Sequence, residues 1–125
     1  MATLNDAVPI HDRSCTNCDS TNISQKLEMV TLPEFLIVQL LLFDNDRKKI
    51  THTCLPSPEI HMSALGDGQN YKLQCIIEHL GTQITNGHYV CYFLKNQRWY
   101  RASDLQIDVV EELPVQPYIC IYKKL

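Results

Sequence analysis

The sequence has 125 residues, of which 45% are hydrophobic and 20% are charged, and this composition is typical of one folded domain. Its formal net charge of -3 lacks the basic excess with which proteins bind DNA or RNA, so we expect no nucleic-acid partner. The longest apolar run, from Phe35 to Phe43, is too short to cross a bilayer, and the first residues lack the basic and apolar regions of a signal peptide. We therefore expect no membrane partner and a cytoplasmic or nuclear location.

The spacing of apolar residues predicts strands and almost no helix, because apolar residues recur with a period of two or in short runs. We expect a mainly β fold with an antiparallel sheet, whose strands are Ser24 to Met29, Phe35 to Phe43, Lys49 to Thr53, Tyr71 to His79, His88 to Leu94, Arg98 to Ala102 and Tyr118 to Tyr122. Polar turns at Asp44 to Asp46 and at Lys95 to Gln97 are predicted to close two hairpins. The stretch from Leu105 to Leu113 is ambiguous. The segment from Cys54 to Asn70 contains prolines and glycines and is predicted to be a surface loop.

The second hairpin places a histidine near oxygen-bearing side chains. A three-residue loop at Lys95 to Gln97 would place His88 directly opposite Asp104. A two-residue loop at Lys95 and Asn96 would place it opposite Ser103 instead. Either loop brings together a base and its orienting group, which are two parts of a nucleophilic catalytic site. From spacing alone, a satisfied structural His–Asp pair is the favoured interpretation.

Other residues near this hairpin are predicted to be structural. His79 shares a strand face with Tyr71 and Leu73, and because that face should be core, we expect His79 to be a hydrogen-bonded structural histidine. Cys91 lies three residues from His88 and should point to the opposite face, so it is a poor candidate for a nucleophile. Four cysteines sit singly in apolar stretches and are expected to be buried free thiols in a reducing compartment: Cys54, Cys75, Cys91 and Cys120.

The remaining two cysteines form a CxxC motif, Cys15-Thr16-Asn17-Cys18. A structural zinc ion needs four ligands in a tetrahedron, and one CxxC motif supplies two of them. His11 could add a third. A complete site would need His11 with one further donor such as His61, or a second CxxC from another part of the protein. From these residues alone, a pair of free thiols is favoured over zinc.

The same motifs, in the same order, resemble those of the ubiquitin-specific protease family. The CxxC motif is similar to the second CxxC of the family's zinc finger. The next matching segment, Leu32 to Leu40, resembles a family strand. The histidine box is matched by Tyr71-Lys72-Leu73, His79, Gly81 and Asn86 to Tyr92. Trp99 to Asp104 resembles the closing segment of that box, and Tyr118 to Tyr122 resembles the family's terminal strand. The resemblance covers nearly the whole chain from Cys15 onward.

The resemblance implies that residues 1–125 are the C-terminal half of a catalytic domain of α+β type, with an antiparallel sheet like the family's palm and part of its fingers. Residues 15–18 would be half of a zinc knuckle, and residues 71–104 the histidine box. His88 matches the family's general base. Ser103 occupies the third catalytic position, where Asp or Asn is usual, and Asp104 could orient His88 in its place. The remaining residues implied by the resemblance are Gly87 and Tyr89 as substrate contacts, and Cys15 and Cys18 as zinc ligands.

The resemblance further implies a cysteine-type deubiquitinase, whose partner is ubiquitin or a ubiquitinated protein. The family's cysteine box, which holds the nucleophile and the oxyanion donor, has no counterpart in this sequence, so we expect the chain to be inactive when isolated. The alternative is a non-catalytic ubiquitin-binding pseudo-protease or scaffold module. A zinc-knuckle interaction domain is a third, weaker interpretation.

Overall fold

A computed structural model describes residues 7–51 and 53–125. The described residues contain nine strands: β1 (Val8–Ile10), β2 (Ile23–Gln25), β3 (Phe35–Gln39), β4 (Glu59–Ala64), β5 (Asp67–Gln83), β6 (Asn86–Lys95), β7 (Arg98–Ser103), β8 (Gln106–Val110) and β9 (Ile119–Lys124). They include no helix that could span a membrane. The strand pairs in both sheets are antiparallel, which confirms the predicted mainly β fold.

The described chain divides into two compact units. The first contains the residues up to Leu32 together with Ser63–Gly68, and the second contains Pro33–Met62 and Gln69–Leu125. In the first unit, β1 pairs with β2 in a register that places Val8 opposite Gln25. The CxxC motif lies in the connection between these two short strands, so the β1–β2 pair holds both ends of the segment that carries the two thiols.

The second unit is built on a sheet with the strand order β3-β9-β5-β6-β7-β8, and β4 also pairs with β5. The C-terminal strand β9 therefore lies between β3 and β5, while β5 to β8 are consecutive in sequence and in space. Strands β3 and β8 form the edges of this order. The candidate site lies in the consecutive part, where β6 passes between β5 and β7.

The core of the sheet is centred on β5 and draws on both of its faces. Tyr71 and Leu73 are buried on one face, as predicted, but Ile76 on the other face is also fully buried. The prediction of a single core face was therefore wrong for the middle of the strand. Two buried tyrosines satisfy their hydroxyl groups on backbone carbonyls: Tyr71 donates to Pro33 over 2.5 Å, and Tyr122 donates to Ser57 over 2.9 Å. These bonds remove the cost of burying a hydroxyl group.

Several predicted elements differ from the structure. The strands predicted at Ser24 to Met29 and at Phe35 to Phe43 are shorter and end at Gln25 and Gln39. The segment predicted to be a loop, Cys54 to Asn70, contains β4 and the start of β5, which pair with each other around Leu65 and Gly66. The strand predicted at Lys49 to Thr53 is represented by isolated bridges at Lys48 and Lys49. Its residue His52 lies outside the described residues. The ambiguous stretch after Asp104 contains the edge strand β8.

The turn predicted at Asp44 to Asp46 is present because the Asp44 carboxylate organises it. One carboxylate oxygen, Oδ1, accepts hydrogen bonds from the backbone N–H groups of Asp46 and Lys48, each over 2.9 Å. The turn between β6 and β7 has two residues, Asn96 and Gln97, both in the left-handed region with φ of 50° and 64°. Left-handed central residues match the twist of a two-residue hairpin.

Candidate functional site

His88 lies near the start of β6, opposite Leu80 of β5. Its Nε2 atom is 2.9 Å from the hydroxyl oxygen of Ser103, the last residue of β7. The carboxylate of Asp104 is further away, with 4.0 Å between Oδ2 and the same Nε2 atom. The prediction that His88 lies within hydrogen-bond reach of Ser103 or Asp104 is confirmed, and Ser103 is the residue in contact.

The register that produces this contact differs from both predicted alternatives. Because the turn consists of Asn96 and Gln97, Lys95 pairs with Arg98 and the paired register ends at Cys91 and Ala102. Continued by one step, this register would place Val90 opposite Ser103. His88 is then a diagonal neighbour of Ser103 on the same face, and its long side chain spans the gap. The prediction of direct opposition was wrong because the loop was placed one residue too early.

A serine hydroxyl group and a carboxylate orient an imidazole differently. A hydroxyl group can donate or accept, so Ser103 is compatible with either neutral tautomer of His88. A carboxylate only accepts, and it would hold the proton on Nε2 and leave Nδ1 as the base. The Asp104 side chain is 83% exposed, so water screens its attraction to His88. The arrangement can orient a general base, but with less charge than a His–Asp pair supplies.

Gly87 precedes His88 and allows a close approach of two strands. A Cβ atom built at Gly87 would lie 2.5 Å from the carbonyl oxygen of Leu80 and 2.8 Å from Cε1 of His79, and closer still to Nε2 of His79. The residue before the candidate base is therefore glycine because the His79 ring and the β5 backbone occupy the space of a side chain. The proposed contact of Gly87 with substrate stays a prediction.

His79 is buried beneath this glycine, with only 1% of its surface exposed. Its ring packs edge-on against Phe43 and Tyr89, with ring centroids 5.3 Å and 5.0 Å away. Neither ring nitrogen has a hydrogen-bond partner among the described residues. The prediction of a structural core histidine agrees with this burial, but the expected side-chain hydrogen bond is absent. Its backbone carbonyl instead accepts from the Lys49 ammonium group, a long-range contact with no sequence signal.

Burial lowers the pKa of His79 from its ordinary value of 6.5, and the Lys49 charge lowers it further. Below pH 6.5, His79 in the unfolded chain therefore binds a proton, whereas His79 in the folded chain stays neutral until the pH falls to its lower pKa. The contribution of His79 to the free energy of unfolding should fall in this window by up to about 1.4 kcal/mol per pH unit, and be constant above it. We expect His79→Leu to remove this part of the pH dependence, because leucine binds no proton in either state.

Urea unfolding at pH 5, 6, 7 and 8 measures this difference. The matched control is His61→Leu, because His61 is an exposed histidine whose Nδ1 atom lies 2.7 Å from the Asn70 side chain. The control keeps His79 and should therefore retain the fall in stability that His79 causes at low pH. Identical pH profiles for the parent and His79→Leu would show that His79 titrates alike in the folded and unfolded chain.

Tyr89, the other predicted substrate contact, is half-exposed. One side of its ring meets His79, and its ring also stacks on Tyr118, with centroids 6.3 Å apart. These contacts hold the ring beside Gly87 and His88 while leaving part of it accessible. Its contact with substrate stays a prediction.

Cys15 and Cys18 lie on a tight turn. The backbone N–H of Asp19 donates to the carbonyl of Cys15 over 2.9 Å, and the N–H of Cys15 donates to Ser20 over 2.8 Å. The backbone N–H of Asn17, the backbone N–H of Cys18 and the Cys18 thiol, in that order, lower the pKa of Cys15. A thiol with a lowered pKa is more readily available as a thiolate, which is the form that binds metal.

Two thiols at CxxC spacing can supply two of the four ligands of a tetrahedral zinc site. Within residues 7–51 and 53–125, no three His, Cys, Asp or Glu side chains converge as metal ligands. The alternative of a complete site made with His11 and His61 stays a prediction. The zinc assignment of Cys15 and Cys18 stays a prediction.

The other four cysteines are free thiols with differing burial. Cys120 is buried as predicted, Cys75 and Cys91 are partly exposed, and Cys54 is exposed, contrary to the prediction. Cys54 is exposed because it lies between strands rather than within one. Cys91 lies at odd spacing from His88 on one continuous strand, so the two side chains point to opposite faces.

Sequence comparisons show which known proteins this chain is similar to. The family described as "Ubiquitin carboxyl-terminal hydrolase" matches residues 10–122. "Ubiquitin carboxyl-terminal hydrolase A" of Dictyostelium discoideum is 34% identical over 89 residues, which are 69% of this chain and 11% of that protein. "Probable ubiquitin carboxyl-terminal hydrolase 8" of Schizosaccharomyces pombe is 26% identical over 120 residues, 87% of this chain and 26% of that protein. The chain thus spans about a tenth to a quarter of these two relatives.

Solved structures share its fold. In the SAGA DUB module of Ubp8, Sgf11, Sus1 and Sgf73 bound to monoubiquitin, one chain matches with a TM-score of 0.81 and 21% identity, over 98% of this chain and 31% of that chain. The module bound to ubiquitin aldehyde gives a TM-score of 0.80 and 19% identity, over 98% of this chain and 32% of that chain. The antiparallel sheet is therefore that of a ubiquitin-specific protease fragment. With the family match over nearly its full length, this chain belongs to the ubiquitin carboxyl-terminal hydrolase family.

Proposed function

We propose that the chain is the histidine-box part of a thiol-dependent deubiquitinase, in which His88 is the general base. The observation that carries this proposal is the 2.9 Å contact between Nε2 of His88 and the Ser103 hydroxyl oxygen, across two strands of one sheet. In this role Ser103 orients the imidazole, Asp104 adds a screened negative charge, and His88 takes a proton from a thiol. The thiol belongs to a cysteine box that this sequence does not contain.

The proposed partner is ubiquitin, whose C-terminal tail would pass Gly87 and Tyr89. Support comes from the family match and from the fold shared with a module solved with monoubiquitin. Titration of 15N-labelled chain with ubiquitin tests this by NMR. We expect the backbone signals of Gly87, His88 and Tyr89 to shift, while that of Gly66 stays in place as an internal control. Shifts confined to other residues, or none at millimolar ubiquitin, would overturn the proposed partner.

The second candidate is a non-catalytic ubiquitin-binding or scaffold module. The observation that favours it is the serine at position 103, because a neutral hydroxyl group holds an imidazole without stabilising its charged form. The two candidates differ in the protein as encoded in its genome, with any sequence that precedes Met1. A deubiquitinase would cleave a fluorogenic ubiquitin amide and lose this activity with His88→Ala, but not with the exposed control His61→Ala. A scaffold would bind ubiquitin without turnover in all three forms.

We also propose that Cys15 and Cys18 are two of the four ligands of a zinc site that another segment completes. Two thiolates on one turn bind zinc more weakly than a full tetrahedron. Metal analysis of the purified chain after gel filtration should therefore find less than one zinc ion per chain, and none in Cys15→Ser/Cys18→Ser. Stoichiometric zinc that a chelator removes from the monomer would contradict this expectation.

A further inference from the structure

Two cysteines unrelated to the candidate site lie in contact on neighbouring strands. Cys75 of β5 and Cys91 of β6 have their sulfur atoms 3.3 Å apart. In the antiparallel register Cys75 is opposite Phe93 and Cys91 is opposite Ile77, so the two thiols are diagonal neighbours on one face of the sheet. A disulfide bond is about 2 Å long, so bond formation requires the sulfur atoms, and the two strands that carry them, to move closer by about 1 Å.

This contact is accessible and separate from His88. Both cysteines are partly exposed, so a small oxidant can reach them from solvent. Residues 88 and 91 are at odd spacing on β6, which places the thiol pair on the opposite face of the sheet from the imidazole. The pair therefore has no part in the proposed proton transfer, and its chemistry can be tested whether or not the chain binds ubiquitin.

We propose that Cys75 and Cys91 are a thiol oxidation site, and that hydrogen peroxide converts them into a reversible disulfide bond between β5 and β6. The Cys91 sulfur, as its thiolate, attacks one peroxide oxygen. The O–O bond breaks, the departing hydroxide takes up a proton to become water, and Cys91 becomes a sulfenic acid. The Cys75 sulfur then attacks the Cys91 sulfur, the S–O bond breaks, and the released oxygen leaves as a second water with the Cys75 proton. Two thiols lose two electrons and one peroxide gains them.

The environment of Cys75 supports this order of events. Burial first, then the hydrogen bond with Cys91 and the nearby charges of Cys91 and Cys120, together raise the pKa of Cys75 to about 12. The Cys75 thiolate is therefore scarce at neutral pH, and direct attack of Cys75 on peroxide is slow. Its attack on an adjacent Cys91 sulfenic acid is intramolecular, so proximity compensates for the small thiolate fraction.

Trypsin provides a direct readout, because it cleaves after Lys72 and Lys95 and leaves both cysteines in one peptide. The chain is prepared with Cys15→Ser/Cys18→Ser to remove the CxxC pair, treated with hydrogen peroxide, alkylated and digested. We expect the Leu73–Lys95 peptide to become two hydrogen atoms lighter and resistant to alkylation, and dithiothreitol to reverse both changes. The matched control Cys54→Ser should behave as this background, whereas Cys75→Ser and Cys91→Ser should each abolish the change.

Thermal unfolding gives a second, independent readout. A disulfide that closes a loop of this length restricts the unfolded chain, and the oxidised form should melt roughly 5 to 10 °C higher than the reduced form. Cys75→Ser and Cys91→Ser should show no such rise on oxidation. Three outcomes would each overturn the proposal. The peptide could remain fully alkylated at both cysteines, a sulfinic acid could form in place of the disulfide bond, or the bond could form with Cys54 or Cys120 instead.

Discussion

Assayed alone, the purified chain is expected to show no turnover of a ubiquitin amide, ester or thioester. His88 and its orienting hydroxyl group are in place, but the sequence has no cysteine box, and so it lacks both a nucleophile and the oxyanion donor beside it. In a serine protease, removing the nucleophile lowers turnover about a millionfold, and removing one oxyanion donor lowers it about a hundredfold or more. These effects are not additive, but either would place the chain below the detection limit of a fluorogenic ubiquitin assay.

A ubiquitin probe with a thiol-reactive group serves as the second measurement. The chain should form no covalent adduct with it, even where the proposed binding of ubiquitin beside Gly87 takes place. Turnover that His88→Ala abolishes would contradict the expectation and reveal a working nucleophile. A mapped adduct on any of the four cysteines outside the CxxC motif would do the same: Cys54, Cys75, Cys91 or Cys120.

Gly87→Ala is expected to cost about 3 kcal/mol of folding stability and to displace His88. The added methyl group would approach the Leu80 carbonyl oxygen to 2.5 Å and the His79 ring more closely, and a backbone carbonyl cannot move away without shifting its strand. Overpacking of this kind costs about 1 to 3 kcal/mol, and a contact with backbone lies at the upper end. Urea unfolding measures the stability loss, and the imidazole NMR signals of His88 report the displacement.

Two variants isolate the cause. In the His79→Ala background the ring atoms are gone, so Gly87→Ala should cost less than it does in the parent. Gly66→Ala is the matched control, because Gly66 has a φ of 88° and open space within 4 Å of an added Cβ. Gly66→Ala should cost about 1 kcal/mol of folding stability, because alanine is disfavoured at a positive φ, and it should leave the His88 signals unchanged. A Gly87→Ala variant as stable as the parent would refute this account of the site.

The β6–β7 hairpin, which carries His88, was the part of the fold that the sequence predicted best. Its strands alternate, and its polar turn is short, so local rules place His88 near Ser103 for any compact loop. The register was missed by one residue because Asn96 and Gln97 both adopt positive φ without a glycine to mark the turn. Local rules therefore identified the partners of the site but not their alignment.

Elements that depend on distant pairing were not predictable in the same way. β5 has 17 residues. Its first residues were predicted to be part of a loop, because glycines such as Gly66 and Gly68 are typical of loops. They instead belong to a tight β4–β5 turn and to the first strand residues after it. The surroundings of His79 could not be predicted either, because Phe43 and Lys49 reach it from a segment about 30 residues away. Such contacts arise from tertiary packing and leave no periodic signal.

The pairing of β3 with β9 sets the order in which the chain can fold during its synthesis. Phe35 is opposite Lys123 and Gln39 is opposite Ile119, so the ribosome must add roughly 80 residues before β3 meets this partner. At typical elongation rates that interval lasts roughly 4 to 16 seconds. Throughout it, the nascent chain exposes an apolar segment with strong strand propensity, which continues through Leu41, a residue that stays exposed in the folded chain. The β5 to β8 hairpins can form as they emerge, whereas β3 has no partner for its register until β9 has left the exit tunnel.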